Sequence, residues 1–458
     1  MNLRPRGVFH AAGTLVYGRA VTILNQAIPA RLHRLLNRMV AVEAHEVQAT
    51  LLGFAWFCCL LSGYYLLRPL RDALGVAGGP EELRWLFTAT FAAMLGLVPV
   101  FGWLVTKFSP RRFVPWVYRF FALTLLAFGA LLALHLESAW LARSFFVWVS
   151  VFNLFVVSIF WSVLDDCFSS AQGRRLFGFI AAGGTLGTVL GPLLAAAAVT
   201  LFDPMVLALA AALLLELALR CFRGIYPRHE AGPVARVHSR PLGGQVWAGL
   251  SLIARSPYLL GICAYLLLHT AASTFLYFEQ ARIVADALPD TASRTRWFAA
   301  VDLAVSCLTL ALQVLATGRL MRRFGLVPCL ALLPLVSAAA FGALALAPTL
   351  MVLACAQVLR RALDYAVARP AREVLFTVVR REEKYKAKNA IETLVYRGGD
   401  AVSGWLSSAL SALGMGVGGV ALLAVPVAAG WCGLCVWLGR RQEQRQAVEI
   451  SATLSEKA

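Results

Sequence analysis

Long apolar stretches separated by short polar segments dominate this sequence. Twelve of them reach about 20 mainly apolar residues, the length that an α-helix needs to cross the hydrocarbon core of a bilayer. They lie at 48–67, 83–105, 113–134, 141–164, 176–200, 204–222, 258–278, 297–317, 326–347, 350–368, 390–413 and 416–438. The pattern predicts an all-α polytopic membrane protein with twelve transmembrane helices.

The composition agrees with this prediction and excludes two other classes of protein. Of the 458 residues, 60% are hydrophobic and 14% are charged, yet the formal net charge is +18. A soluble nucleic-acid-binding protein carries its cations on a polar surface, which this chain has too few polar residues to cover, and a disordered basic protein has low hydrophobicity. We therefore expect a monomer surrounded by lipid, with no nucleic-acid partner.

The Lys and Arg residues of the loops concentrate on the side of the predicted bundle that both termini share. The positive-inside rule then predicts that both termini are cytoplasmic, in a bacterial inner (plasma) membrane. The predicted units are a basic N-tail at 1–45, a six-helix bundle at 46–222, a cytoplasmic central loop at 223–250, a second six-helix bundle at 251–438 and a cytoplasmic C-tail at 439–458.

The first 42 residues contain six Arg and no acidic residue. Two interpretations are open for this N-tail. It is either an interfacial amphipathic helix on an anionic leaflet or an organellar transit peptide.

The two predicted bundles share a sequence repeat at an offset of about 214 residues. The matches are Arg68-x-x-x-Asp72 with Arg282-x-x-x-Asp286, Arg84-Trp85 with Arg296-Trp297, Gly102-Trp103-Leu104 with Gly318-Arg319-Leu320, and Gly183-Gly184 with Gly398-Gly399. Because six spans separate the copies, the two halves have the same orientation, which predicts a parallel duplication.

The loops that begin at Gly102 and at Gly318 resemble the repeated cytoplasmic G-x-L-x-D-R-x-G-R-R motif of the major facilitator superfamily, although Thr106 replaces the Asp of the first copy. The resemblance implies the fold of that superfamily. It also implies that the basic side chains of these loops can hold the inward gate closed. The fifth span, with Gly187, Gly191 and Pro192, is similar to the glycine-proline pattern of the superfamily's antiporters. Close packing of small residues explains the same pattern equally well.

Several ionisable residues fall at membrane depth, where they are costly and usually face a cavity. They are Arg360, Arg361 and Asp364 in the tenth span and Arg397 and Asp400 in the eleventh. We expect some internal pairs: Asp364 with either Arg before it, Arg397 with Asp400, and Arg68 with Asp72. From 360 to 400 there are ten cationic and six acidic residues. The excess favours an anionic substrate, because Arg binds carboxylates and phosphates through two parallel hydrogen bonds.

Two segments resemble the nucleotide exchange (ATP/ADP translocase) transporters of plastids and intracellular bacteria. The first, YLLRPLRD at 65–72, is similar to the end of their first helix, and the second, KYKAKNAIE at 384–392, is similar to their K-x-K-x-K-x-x-I-D motif. This resemblance implies phosphate-binding roles for Arg71 and for Lys386 or Lys388. The chain departs from the pattern in having Arg at 71 instead of Lys, and no acid near 149–150.

The sequence thus predicts a secondary active transporter that moves an organic anion by alternating access, with antiport favoured and nucleotide exchange as the leading specific form. The predicted substrate-binding residues are Arg71, Arg360, Arg361, Asp364, Lys386, Lys388, Arg397, Asp400, Tyr65 and Tyr396. The predicted gating or structural residues are Arg68, Asp72, Arg282, Asp286, Gly102, Gly318, Gly187, Gly191 and Pro192.

Two alternatives remain at this stage. The first is a proton-coupled drug or metabolite exporter of the same superfamily. The second is a polytopic membrane enzyme of lipid or glycan metabolism, but the sequence contains no HExxH, GxSxG, DxD or Walker motif. We therefore predict no catalytic residue, metal site or cofactor.

Overall fold

A computed structural model describes residues 42–43, 45–134, 138–168, 170–199, 204–226, 251–379, 387, 391–415 and 417–455. In this part of the chain the secondary structure is helical, which confirms the predicted fold class. The principal helices are α1 (Val47–Ala77), α2 (Gly79–Lys107), α3 (Pro110–Ala133), α4 (Ala139–Cys167), α5 (Ser170–Val199), α6 (Pro204–Ile225), α7 (Pro257–Ala287), α8 (Thr291–Leu312), α9 (Leu326–Leu346), α10 (Leu350–Leu363), α11 (Tyr396–Ala412) and α12 (Val417–Ser455).

Shorter helical pieces extend three of these helices. They are the π-helical turns Gln313–Thr317, Asp364–Ala368 and Ile391–Val395, the α-helical pieces Gly318–Phe324 and Arg369–Leu375, and the 3₁₀ turn Phe376–Val378. Nine helices, α1 to α9, are long and apolar enough within the described residues to cross a membrane. α10 and α11 are shorter because a π-helical turn adjoins each of them.

Helix α1 continues ten residues past Leu67, where the hydrophobic pattern predicted that its span would end. Arg68, Arg71 and Asp72, which follow the predicted end of the span, therefore lie inside this helix. Their side chains are mostly withdrawn from solvent and paired with one another, so the charges do not require water and the helix persists. Hydropathy alone could not reveal this, because it scores each charge without its partner.

Two boundaries at the ends of other helices also differ from the prediction. Gly102 was predicted to begin a loop, but it lies within α2, which ends only at Lys107. The predicted C-tail from 439 onward is helical as far as Ser455, as the continuation of α12. The motif at Gly318, which is the counterpart of the motif at Gly102, begins the short helix Gly318–Phe324. Gly325 caps this helix with a positive φ of 78°.

Three hydrophobic clusters organise the bundle. One consists almost entirely of residues from α1 to α6, and a second consists of residues from Ile253 onward, mostly in α7 and the helices after it. The third joins the halves and includes Val76, Leu86 and Phe146 from the first half with Phe278 and Phe341 from the second. We call the face of the bundle where α1 ends and α2 begins the α1–α2 face, and the face where α1 begins and α12 ends the terminal face.

Within the first half, the glycines of α5 allow this helix to lie directly against α1. A methyl group added at Gly187 would lie 2.6 Å from the carbonyl oxygen of Cys58, and one added at Gly191 would lie 2.6 Å from Cβ of Tyr65. Both distances are shorter than van der Waals contact, so only glycine permits this approach. Pro192 follows within the same helix. Close helix packing therefore accounts for this glycine pattern structurally.

Candidate functional site

A cavity of ≈ 990 Å³ lies between the two halves. Its walls come from α1, α2, α4 and α5 of the first half and from α7, α8, α10 and α11 of the second, together with the pieces that extend α10. The predicted site residues that line it are Tyr65, Arg68, Arg71, Asp72, Arg360, Arg361, Asp364, Tyr396, Arg397 and Asp400. Residues from distant parts of the sequence thus face one space.

Ion pairs join the two halves at one end of this cavity. Arg68 Nη1 of α1 lies 3.6 Å from Asp302 Oδ1 of α8, and Arg361 Nη2 of α10 lies 2.7 Å from the same oxygen. At 1.5 Å per residue, Arg68 is about 14 Å from the end of its helix, and Asp302 and Arg361 are each about 17 Å from the start of theirs. The three side chains therefore meet at a similar depth below the α1–α2 face.

A second connection between the halves runs through Asp72. The hydroxyl of Tyr277 in α7 donates a hydrogen bond of 3.1 Å to Asp72, which also accepts a bond of 2.9 Å from Arg71 Nε. Arg71 in turn donates to the Ser150 hydroxyl at 3.3 Å and lies over the ring of Phe146. Asp72 is 3% exposed, so these partners supply the hydrogen bonds that water would otherwise provide.

Aromatic contacts lie beside these polar ones, on the same side of the bundle. The rings of Phe87 in α2 and Phe278 in α7 stack with centroids 6.0 Å apart. Trp405 in α11 donates a hydrogen bond of 3.0 Å to the Thr88 hydroxyl, and the Arg84 guanidinium lies 4.9 Å from the centre of its ring. These contacts join the halves toward the α1–α2 face, and the cavity extends from them toward the terminal face.

Arg360 is a buried cation of the cavity whose hydrogen-bonding capacity is only partly used. Its residue is 5% exposed, and it donates a hydrogen bond of 2.8 Å to the Ser273 hydroxyl, while its Nε has no hydrogen-bond partner. None of the acidic side chains that the structure describes lies within ion-pair distance of it. A buried guanidinium without a carboxylate is costly, so the position suits an anion that enters from the cavity.

The structure contradicts the predicted pairing of Asp364 with the arginines one turn before it. Asp364 instead accepts a hydrogen bond of 3.3 Å from Arg369 Nε and lies 3.8 Å from Nε2 of His269. Arg361 pairs with Asp302 and Arg360 bonds Ser273, so neither guanidinium turns to Asp364. The π-helical turn Asp364–Ala368 brings Arg369 next to Asp364, because hydrogen bonds in such a turn span five residues instead of four.

The other two predicted pairs are present. Arg68 Nε lies 3.7 Å from Asp72, and Arg397 Nη1 lies 3.9 Å from Asp400, which also accepts a hydrogen bond of 3.3 Å from Thr274. The charge on Arg68 is shared between Asp72 and Asp302. This residue therefore belongs to an ion-pair network and not to an isolated pair.

Some predicted residues lie elsewhere. Arg282 pairs with Glu279 at 3.2 Å and donates to Ser411, both within its own half, and does not line the cavity. Asp286, the repeat counterpart of the buried Asp72, is exposed. Gly187, Gly191 and Pro192 do not line the cavity, and the gating roles of Gly102 and Gly318 stay predictions. Lys386 and Lys388 lie outside the described residues, and their phosphate-binding roles stay predictions.

The most important residue that sequence reasoning missed is Asp302. It is 2% exposed and holds both Arg68 and Arg361. The signal was available, because Asp302 lies inside the eighth apolar stretch and, as an ionisable residue there, satisfies the same criterion as Arg360. Arg369 is a second omission, since the predicted tenth span ended immediately before it.

Comparisons with known proteins agree on the fold. The family model described as Major Facilitator Superfamily matches residues 47–366. No match to the sequence was found among curated proteins. Among solved structures, the nucleoside transporter NupG is similar with a TM-score of 0.53 at 14% identity, covering 87% of this chain and 98% of that chain.

Two further solved structures are similar over comparable lengths. A bacterial homologue of the iron transporter ferroportin, in an inward-facing state, has a TM-score of 0.61 at 11% identity, covering 85% of this chain and 100% of that chain. An auto-inhibited peptide transporter of the POT family has a TM-score of 0.56 at 14% identity, covering 87% and 97%. At these identities the likeness concerns the fold alone.

Proposed function

The chain belongs to the major facilitator superfamily, and we propose that it is a secondary active transporter that moves an organic anion by alternating access. It is an integral multi-pass membrane protein with the fold of transporters. Transporters that share this fold carry different cargoes, so the fold does not select the substrate. The proposal on the substrate therefore depends on the side chains of the cavity.

The charge of the cavity is the observation that carries the proposal. Within the described residues, its lining includes seven arginines, at 68, 71, 360, 361, 369, 372 and 397, and three aspartates, at 72, 364 and 400. Asp302 adds one acid behind this lining. The cations remain in excess, and none of the acidic side chains that the structure describes pairs with Arg360. An anionic group of the substrate would supply the missing charge through paired hydrogen bonds.

We propose that the terminal face is cytoplasmic, because the loops on that side hold most of the Lys and Arg residues of the sequence. The structure would then represent a conformation that is closed toward the outside by the ion pairs and aromatic contacts of the α1–α2 face. The opposite conformation would require these contacts to separate while the halves rotate around the cavity.

The same charge excess favours antiport. If the transporter returned without an anion, Arg360 would have to pass through an occluded state while it is buried and uncompensated, which is energetically costly. A second anion bound on the return step removes this cost. Exchange of nucleotides is the leading specific form, since the motifs at 65–72 and 384–392 resemble those of nucleotide exchange transporters.

Proton-coupled transport is the second candidate, and one contact favours it. His269 and Asp364 lie 3.8 Å apart in the wall of the cavity, and both side chains are buried. A titratable pair beside a substrate site can couple protonation to binding. Dependence of uptake on a pH gradient in the absence of any internal anion would favour this candidate over antiport.

The proposal is tested with the full-length protein in liposomes. Uptake of labelled ATP, ADP, AMP and sugar phosphates is measured with and without unlabelled anion inside. We expect uptake of at least one anion, accelerated by the internal anion, and a loss of that uptake in Arg360→Gln. Arg143→Gln is the matched control, since Arg143 pairs with Glu82 outside this cavity. No uptake of any anion, with a melting temperature that none of them changes, would contradict the proposal.

A further inference from the structure

We infer that the transported anion is polarised, with its charged group bound by the second half and a neutral, hydrogen-bonding part bound by the first half. This inference rests on the proposed function and specifies the class of its substrate. The class is organic anions that carry their charge at one end. Compact inorganic anions and dicarboxylates that are charged at both ends fall outside it.

The charged residues are distributed unequally over the two walls of the cavity. In the described part of the chain, the second half contributes five of the lining arginines, at 360, 361, 369, 372 and 397, with Asp364 and Asp400. The first half contributes Arg68, Arg71 and Asp72. These three lie within one turn of each other in α1 and are engaged in the ion pairs that join the halves on the side of the α1–α2 face. The rest of the first-half wall carries no charge among the described residues.

The cations that are available to a ligand also lie in the second half. Arg361 is held by Asp302, and Arg369 is held by Asp364 and lies over the ring of Tyr365. Arg360 and Arg372 face the same cavity without an acidic partner among the described residues. The Nε of Arg360 is buried without a hydrogen-bond partner. A ligand that provides an oxygen to this nitrogen satisfies a group that the protein leaves unsatisfied.

The uncharged part of the first-half wall offers a different kind of contact. Its lining residues include Phe57, Tyr64, Asn153, Ser158 and Thr185. Phe57 is backed by the parallel ring of Phe160, with centroids 4.3 Å apart, which fixes its orientation. Asn153 has both a donor and an acceptor in its amide and makes no hydrogen bond to another described side chain. This wall suits a neutral moiety with an apolar or aromatic surface and a few polar atoms.

The asymmetry excludes two kinds of anion on energetic grounds. A dicarboxylate that spans the cavity would place its second charge against Phe57 and Asn153, in the part of the first-half wall where the described residues include no cation to compensate for the lost hydration. A compact anion such as phosphate reaches the arginines but forgoes every contact with the first half. A polarised anion loses neither set of contacts, so we expect it to bind most tightly.

The test measures the affinity of the purified full-length protein for four probes: AMP, inorganic phosphate, malate and adenosine. We expect AMP to bind most tightly. Arg360→Gln should weaken both AMP and phosphate by roughly 10- to 100-fold, the value of hydrogen bonds to a charged group. Asn153→Ala should weaken AMP by about 3- to 10-fold and leave phosphate unchanged. Ser337→Ala is the control, because Ser337 is buried in α9 outside the cavity.

Two outcomes would overturn this inference while leaving anion transport intact. One is binding of malate or phosphate as tightly as AMP, and the other is an equal effect of Asn153→Ala on AMP and on phosphate. The failure of the proposed function is a different result: none of the three anions binds, or adenosine binds as tightly as AMP. The melting temperature of each variant verifies that it folds, and Asn153→Ser replaces Asn153→Ala if the latter does not.

Discussion

Arg68 in the first half and Asp302 in the second lie 3.6 Å apart and form an ion pair across the interface between the halves. Asp302 also binds Arg361, so one buried carboxylate compensates two guanidinium groups. The pair therefore connects the cavity wall to the contacts that close the α1–α2 face.

We expect Asp302→Asn to destabilise the protein by about 3–5 kcal/mol, because it leaves two buried arginines without their shared acid. Denaturant-induced unfolding in detergent measures this loss. Asp286→Asn is the matched control, since Asp286 is an exposed acid in the same half. Adding Arg68→Gln to Asp302→Asn should recover part of the stability. If the double variant is no more stable than Asp302→Asn alone, the two residues are not coupled.

Neutralising each of the two neighbouring arginines of α10 should have different effects on thermal stability. Arg360→Gln removes a buried charge with which none of the described acidic side chains pairs, so we expect unchanged or higher thermal stability together with lost anion binding. Arg361→Gln removes a partner of Asp302 and should lower the melting temperature. A loss of stability in Arg360→Gln equal to that in Arg361→Gln would contradict this assignment.

Gly187→Ala should destabilise the first half by roughly 1–3 kcal/mol, since the new methyl group would overlap the backbone of α1 at Cys58. Gly178→Ala in the same helix is the control, because nothing lies within 4 Å of a methyl group there. The melting temperatures of the two variants provide the comparison. An equal effect at both positions would show that the loss reflects glycine replacement in general and not the α1–α5 contact.

Stability should fall at acidic pH through Glu46, which lies just before α1. Burial raises the pKa of Glu46, but hydrogen bonds from the Glu43 amide, Gln172 and Arg175 outweigh burial and hold it below its usual value of 4.5. A carboxyl group with a lowered pKa stabilises the folded state above its unfolded-state pKa, and this stabilisation is lost as the pH falls through the folded-state value. Melting temperatures between pH 7 and pH 3 should therefore decline less steeply in Glu46→Gln than in the parent protein. Parallel declines would contradict the role of this residue.

The hydrophobic pattern was sufficient to predict the helical fold, because crossing a bilayer imposes a length and an apolar composition on each helix. The depth of a charge was also predictable, since it follows from its position along a helix, and this criterion found Arg360 and Arg361. The partners of these charges were not predictable in the same way. Asp302 approaches Arg361 only through tertiary packing, and the π-helical turn after Leu363 redirects Asp364 toward Arg369.

The pair between Arg68 and Asp302 has no equivalent at the positions that the sequence repeat relates to it. Arg84-Trp85 matches Arg296-Trp297 at an offset of 212, and the same offset places Thr90 opposite Asp302. Arg282, the counterpart of Arg68, pairs instead with Glu279 of its own helix, and no acid among the described residues of the first half lies within ion-pair distance of it. Two identical copies of a six-helix chain, related by a two-fold axis, would carry the same residues at both positions. In this chain the two positions carry different residues, so an ionic contact closes one flank of the interface and aromatic rings close the other.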